Sequence, residues 1–451
     1  MEVQQLALQL NLWIAAMGLI FFVRWRRKVA GSGLLFAYVL NLWVNHWIAA
    51  SLYVLPWYSY DWNAAWYRNF KFEWVTDGFQ QSTFGIIAFV AGSFLIGSLF
   101  TPLLLSRQQG GAYLPDPRLP KAYIISGFIF YFLLSPVLGR LPTMASIISS
   151  GLSLMATGWA LVLWKVWQER KRLAFYRWFA AGLLSFPLLT LVTQGFLSFG
   201  AIALVTVLAF VASFYRPRLR LIILAFLIGY LGLSFYVTYM RERITIREAV
   251  WGGRSLTGRV EQLYQSFSDF EWFDLYDQVH LARIDMRLNQ NLLVGAAVSQ
   301  LNGSKEFVQG ETLLASLSAL IPRVLWSDKP IFTGGSELAS RFTGITYVED
   351  TSVGIGPVME LYINFGTSGV IMGFLILGGI VTILDAMARE RLLKGDWKGF
   401  TFWFLPGLSF IQISGSFVEV TASTGGAFIM AFLVNQLLNK FGGRKIFQKS
   451  V

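Results

Sequence analysis

Runs of about twenty apolar residues recur along this chain, and no other feature restricts its fold as much. Eleven can be read, at about 5–23, 33–55, 79–104, 122–139, 143–164, 178–195, 197–215, 220–240, 357–381, 399–416 and 419–438. A helix rises about 1.5 Å per residue, so each run is near the length needed to cross the roughly 30 Å hydrocarbon layer of a bilayer. Only 14% of the residues are charged, against about 25% in soluble domains. The expected fold is an all-α polytopic integral membrane protein with about 11 transmembrane helices. The pairs 178–195/197–215 and 399–416/419–438 are joined too tightly for more than a hairpin. A re-entrant pair among these would change the span count.

Charge sets the expected orientation. The first run lacks a basic segment before it, and Arg24-Trp25-Arg26-Arg27-Lys28 follows it, so it reads as a span and not as a cleaved signal. The positive-inside rule then places 24–32 inside, the N-terminus outside and the C-terminus in the cytoplasm. The six inner connections of this topology hold 23 of the 37 Lys and Arg but only 5 of the 25 Asp and Glu. Their net charge is +18 and that of all other residues is −6, which accounts for the overall +12. No basic stripe is left over to suggest nucleic acid as a partner. The absence of cysteine excludes disulfides, thiolate metal sites and cysteine nucleophiles. Two histidines, His46 and His280, argue against a polyhistidine metal centre. No cofactor is expected.

The chain divides into spans one to eight (1–240), a large outer loop (241–356), and spans nine to eleven with a basic tail (357–451). The large loop, expected to be mainly helical, carries 25 of the 62 charged residues, while the inner connections are short. A polar segment held on one side of a rigid bundle is where chemistry is expected. A smaller outer segment, 56–78, carries Trp57, Trp62, Trp66 and Trp74. It suits either an interfacial belt or a surface on which sugars stack.

Within the large loop, His280, Arg283 and Arg287 share one face of an expected helix. Two guanidiniums can grip a diphosphate, with His280 as a base. Equally, this is a solvated helix whose Asp277 and Asp285 pair with the arginines. Further on, Ile321-Pro322-Arg323-Val324-Leu325-Trp326-Ser327-Asp328-Lys329-Pro330 holds Arg323 and Lys329 beside Trp326 between two prolines. That arrangement fits a pyrophosphate next to a sugar or lipid, or a structural turn. Arg341 follows. Gly354 and Gly356 read as punctuation before span nine. That span opens with Glu360, Tyr362 and Asn364. Glu360 either pairs with a loop arginine or acts as a base for a sugar hydroxyl. His46, inside span two, is expected to be a hydrogen-bonded packing residue and not a ligand.

The run at 321–330, followed by Glu360-Leu-Tyr-Ile-Asn-Phe-Gly-Thr-Ser-Gly369, resembles the Wzy-type oligosaccharide repeat-unit polymerases, relatives of the O-antigen ligases. The motif-level match covers about 280–370, and the remainder agrees in topology. The resemblance implies a bacterial inner-membrane glycosyltransferase similar to the GT-C-like, metal-independent inverting enzymes. Its substrate would be an undecaprenyl-diphosphate-linked oligosaccharide, with a flippase and a chain-length regulator as candidate partners. Arg323, with Arg283 or Arg287, would hold the departing diphosphate, and His280 or Glu360 would orient or deprotonate the acceptor. Lys329, Trp326, Arg341, Tyr362 and Asn364 are the expected substrate contacts. The alternatives are a ligase, which differs in acceptor, and a transporter. A transporter fits less well, because the charges lie in connections and not at mid-bilayer.

Overall fold

The computed structural model describes residues 2–26, 31–61, 70–106, 113–138, 141–215, 219–321, 326, 335–347 and 353–441. These are all α, with no strand among the described residues. Each expected span has a helix: α1 (Glu2–Arg26), α2 (Leu34–Leu52), α3 (Phe72–Ser106), α4 (Leu119–Leu134), α5 (Met144–Gln168), α6 (Arg172–Gln194), α7 (Ser198–Phe214) and α8 (Leu219–Trp251). The large loop supplies α9 (Leu256–Ser268), α10 (Gln278–Leu288), α11 (Asn291–Ser304), α12 (Glu311–Ala319) and α13 (Gly335–Thr343). Helices α14 (Gly356–Leu393), α15 (Trp397–Phe410) and α16 (Phe417–Phe441) complete the chain. Seven of these, α1, α2, α3, α5, α6, α14 and α16, are long and apolar enough to cross a membrane. The chain is therefore a multi-pass membrane protein in its architecture.

Several boundaries differ from the sequence expectation. Helix α8 runs unbroken to Trp251, so its last turns stand beyond the apolar stretch and carry the first charges of the loop. Helix α15 has 14 residues with Pro406 inside. It is about 21 Å long, well short of the hydrocarbon thickness. Helix α14 is broken at Phe365 and Gly366, where the backbone leaves helical geometry and Gly366 takes φ +63°. The expected single span at 357–381 is thus two segments.

The core forms where α3 and α14 pack with backbones in contact. A side chain on Gly92 would collide with the Leu375 carbonyl, and one on Gly378 with that of Phe89. Small residues are what allow such approach between membrane helices. Hydrogen bonds divide the connections into two sets. On the side of the basic tail, buried Asp385 takes Arg24 Nη1 at 2.7 Å, Ser32 Oγ at 2.7 Å and the Leu34 amide at 3.1 Å. There too, Ser213 donates to the Gly31 carbonyl and the Tyr113 amide to that of Lys394. On the opposite side, the large loop meets the other ends of α2, α6 and α8. Every one of these bonds joins segments that the charge count had assigned to one face.

Candidate functional site

The loop is seated by a buried carboxylate. Asp285, on the inward face of α10, accepts from Tyr53 Oη at 2.7 Å and Tyr58 Oη at 2.6 Å through one oxygen, and from Asn289 at 2.6 Å through the other. Asp277 caps α10, accepting from the amides of Val279 and His280. These are the roles of the two acids that the alternative reading of this helix paired with the arginines. A second clamp lies one turn on. A π-turn at Trp43–Trp47 loosens α2, and two of its carbonyls hold the start of α11: Gln290 N bonds Asn45 O, and Asn291 Nδ2 bonds His46 O at 2.8 Å. Since the Asn291 amide nitrogen is committed there, its oxygen accepts from His46 Nδ1 at 2.8 Å. His46 is thereby a hydrogen-bonded packing residue, with Nε2 left unpartnered.

The other face of α10 carries the arginines. Arg283 donates to Glu271 Oε2 at 2.8 Å and to the Val237 carbonyl, and Glu271 also takes Arg241 Nη1 at 2.7 Å. Burial pushes the Glu271 carboxyl up, but Arg241 and Arg283 overcome this and hold it below its ordinary value. His280 is buried beside them. Its Nδ1 accepts the Asp274 amide at 3.0 Å, which leaves the proton on Nε2, 3.5 Å from Glu271. The lone pair that a general base needs is therefore engaged by the backbone.

Arg287 is different. It is exposed at the end of α10, and Arg243, partly buried on α8, lies close by, with Arg247 one turn further along. Among the described residues neither Arg287 nor Arg243 has a hydrogen bond or an ion pair. Burial lowers the Arg243 pKa, and the charges of Arg287 and Arg247 lower it further. Arg247 rests on the Phe196 ring, 4.4 Å from its centroid, with a long bond to Tyr239 and its Nε unpartnered. Arg243 thus lies within reach of two other guanidinium charges, and among the described residues none of the three has a carboxylate partner. Arg243 and Arg247 were not singled out in the sequence. Their signal was present: three arginines at 241, 243 and 247 directly follow an apolar run.

Glu360 pairs with a helix end, and among the described residues it has no arginine partner. It is fully buried, and Oε2 accepts from the amide of Phe417, the first residue of α16, at 2.6 Å. That amide is one of the donors a helix leaves free, and the dipole favours the anion. Ser416 and Glu419 close the same end as a capping box. Asn364, also fully buried, ties the loop to the break in α14. Its oxygen accepts from the Gly310 amide at 2.9 Å, and its nitrogen donates to Thr312 at 2.7 Å and to the Glu360 carbonyl. Tyr362 is buried edge-on to Phe307. These three residues hold the loop in place.

Arg323 and Lys329, with Trp62 and Trp66, lie outside the described residues. Trp326 is exposed. Arg341 is exposed, with its guanidinium over its neighbour Phe342. Trp57 donates to the Leu275 carbonyl and lies against Tyr276, so this part of the aromatic segment packs on the large loop. Among the described residues no three His, Asp or Glu gather as metal ligands do.

Comparison with known families adds one assignment. The chain belongs to a family described as a domain of unknown function, DUF8712. The match spans residues 78–442, which takes in most of α3, the three arginines at 243, 247 and 287, the loop and the last three helices. No curated protein and no solved structure matches the chain.

Proposed function

We propose that this DUF8712 protein polymerises undecaprenyl-diphosphate-linked oligosaccharide repeat units on the outer face of a bacterial inner membrane. The N-terminus would be outside and the C-terminus in the cytoplasm. The observation that supports the reading is Arg243, within reach of the charges of both Arg247 and Arg287 and, like them, without a carboxylate partner among the described residues. Unneutralised guanidiniums repel one another, and a phosphate-bearing ligand relieves that repulsion through forked, charge-assisted bonds. Their height fits a lipid carrier. Arg243 stands three residues past the apolar run of α8, about 5 Å above the hydrocarbon edge, where a lipid's diphosphate sits.

In the proposed reaction the acceptor hydroxyl attacks the anomeric carbon from the face opposite the diphosphate. The carbon–oxygen bond to the diphosphate breaks, and the diphosphate keeps the electron pair. The hydroxyl proton is released to water. Arg243 and Arg287, together with Arg323 from the loop, offset the charge that grows on the leaving group. Glu360 and Asn364 act as positioning residues that fix the loop.

The test uses purified protein in nanodiscs with a lipid-diphosphate-linked repeat unit, EDTA and no nucleotide sugar. A ladder of lengthened glycans that disappears in Arg323→Ala, at unchanged protein level, is expected. Full activity of Arg323→Ala would remove that residue from the site. No ladder with the matching repeat unit would contradict the polymerase reading.

A further inference from the structure

The sequence places α12 in an extramembrane loop, but its neighbours place it lower. Thr312 sits beside Glu360, and Glu360 is bonded to Phe417 at the first residue of α16. At the other end of α12, Leu320 Cδ2 lies against Gly425. The two helices therefore run side by side, from 312 against 417 to 320 against 425. Eight residues of α16 correspond to about 12 Å.

Helix α16 is one of the seven candidate spans. Its far end is marked by Asn435, which donates to the Lys398 carbonyl and accepts from Tyr123. From Phe417 to Asn435 the rise is about 27 Å, close to the full hydrocarbon thickness. Phe417 is then near the membrane boundary, and Leu320 is about 12 Å inside it.

The chemistry of α12 agrees. Thr312, Ala315 and Ser316 face the protein. Leu314, Leu317, Leu320 and Ile321 are 68%, 62%, 52% and 42% exposed. No charged residue occurs from 312 to 322. Four large apolar side chains grouped on this short helix and the turn that ends it are costly in water and at home in lipid.

We propose that α12 is a re-entrant helix in the leaflet on the loop side, with Leu314, Leu317 and Ile321 against acyl chains. Its N-terminus is pinned at the surface by Asn364. This placement does not depend on the polymerase reading.

The absence of cysteine makes single-cysteine variants directly readable. Leu314→Cys, Leu317→Cys and Ile321→Cys would be prepared in phospholipid nanodiscs as monomeric protein, with Ser304→Cys, exposed on α11, as reference. A membrane-impermeant maleimide is expected to label the α12 positions at least about tenfold more slowly than Ser304→Cys, as for buried lipid-facing sites. Spin labels there should be relaxed by oxygen more than by a nickel chelate. Labelling at the reference rate would overturn the proposal. Protection in native membranes but not in nanodiscs would also overturn it, in favour of a protein partner. Using three positions keeps the test available if one variant does not fold.

Discussion

Arginines gather on both sides of this membrane protein, under opposite conditions. On the tail side Arg24 meets buried Asp385, Arg391 meets Asp396, and Lys394 meets Glu390. On the loop side Arg241 and Arg283 share Glu271, yet Arg243 and Arg287 beside them have no such partner among the described residues. A buried charge that is paired has been placed for architecture, and removing its partner strands it. Cations brought together unpaired store repulsion that an anion can relieve. The same residue type therefore reads as a staple in one place and as a binding group in the other.

If that contrast holds, the largest effect on stability should come from the tail side. Asp385→Ala leaves Arg24, Ser32 and the Leu34 amide without their acceptor and should cost about 3–5 kcal/mol. Thermal unfolding of the detergent-solubilised protein would show it. The surviving folded fraction should keep its activity per molecule. Loss of activity at unchanged stability would break the assignment of this pair to architecture.

The loop-side arginines should behave in reverse. Arg243→Ala combined with Arg287→Ala should lower polymer formation about a hundredfold, in line with two lost charge-assisted bonds. The unfolding temperature should stay level or rise as repulsion is relieved. A double variant that unfolds while its folded fraction works normally would make these arginines structural.

Smaller effects sharpen the contrast within α10. Tyr53→Phe or Tyr58→Phe each removes one bond to the Asp285 carboxylate and should cost about 1.5–3 kcal/mol. Amide exchange would report this as loosening of α10. Least of all is a pH effect at Glu271. Its folded pKa lies below the ordinary 4.5, so its stabilisation is present above that value and is lost as pH falls through the folded pKa. Acid should loosen the contact between α8 and α10, and Glu271→Gln should abolish that pH step. A step of equal size in Glu271→Gln would locate it elsewhere.

Much of the architecture could be read in the chain because a membrane imposes a simple rule: apolar length. The same rule made Glu360 and Asn364 stand out, since each is a polar group in an apolar run. What they do was not readable. The partner of Glu360 is the amide of Phe417, which sequence spacing does not reveal. Nor was the break at Phe365–Gly366, because the amides of Val308 and Gln309 take the carbonyls of Ile363 and Asn364. The face shared by Arg283 and Arg287 was legible, but which arginine stays unpaired was not. That depends on Glu271, which a turn brings back from twelve residues away. Asp285 turned inward because Tyr53 and Tyr58, from the other end of the chain, complete its shell.

The most direct measurement is the binding of radiolabelled undecaprenyl diphosphate to protein in nanodiscs, with Arg243→Ala/Arg287→Ala compared with Arg391→Ala. The account predicts saturable binding that falls about a hundredfold in the loop-side double variant and is unchanged in Arg391→Ala. Equal binding in all three proteins, or none in the unmodified protein, would contradict it.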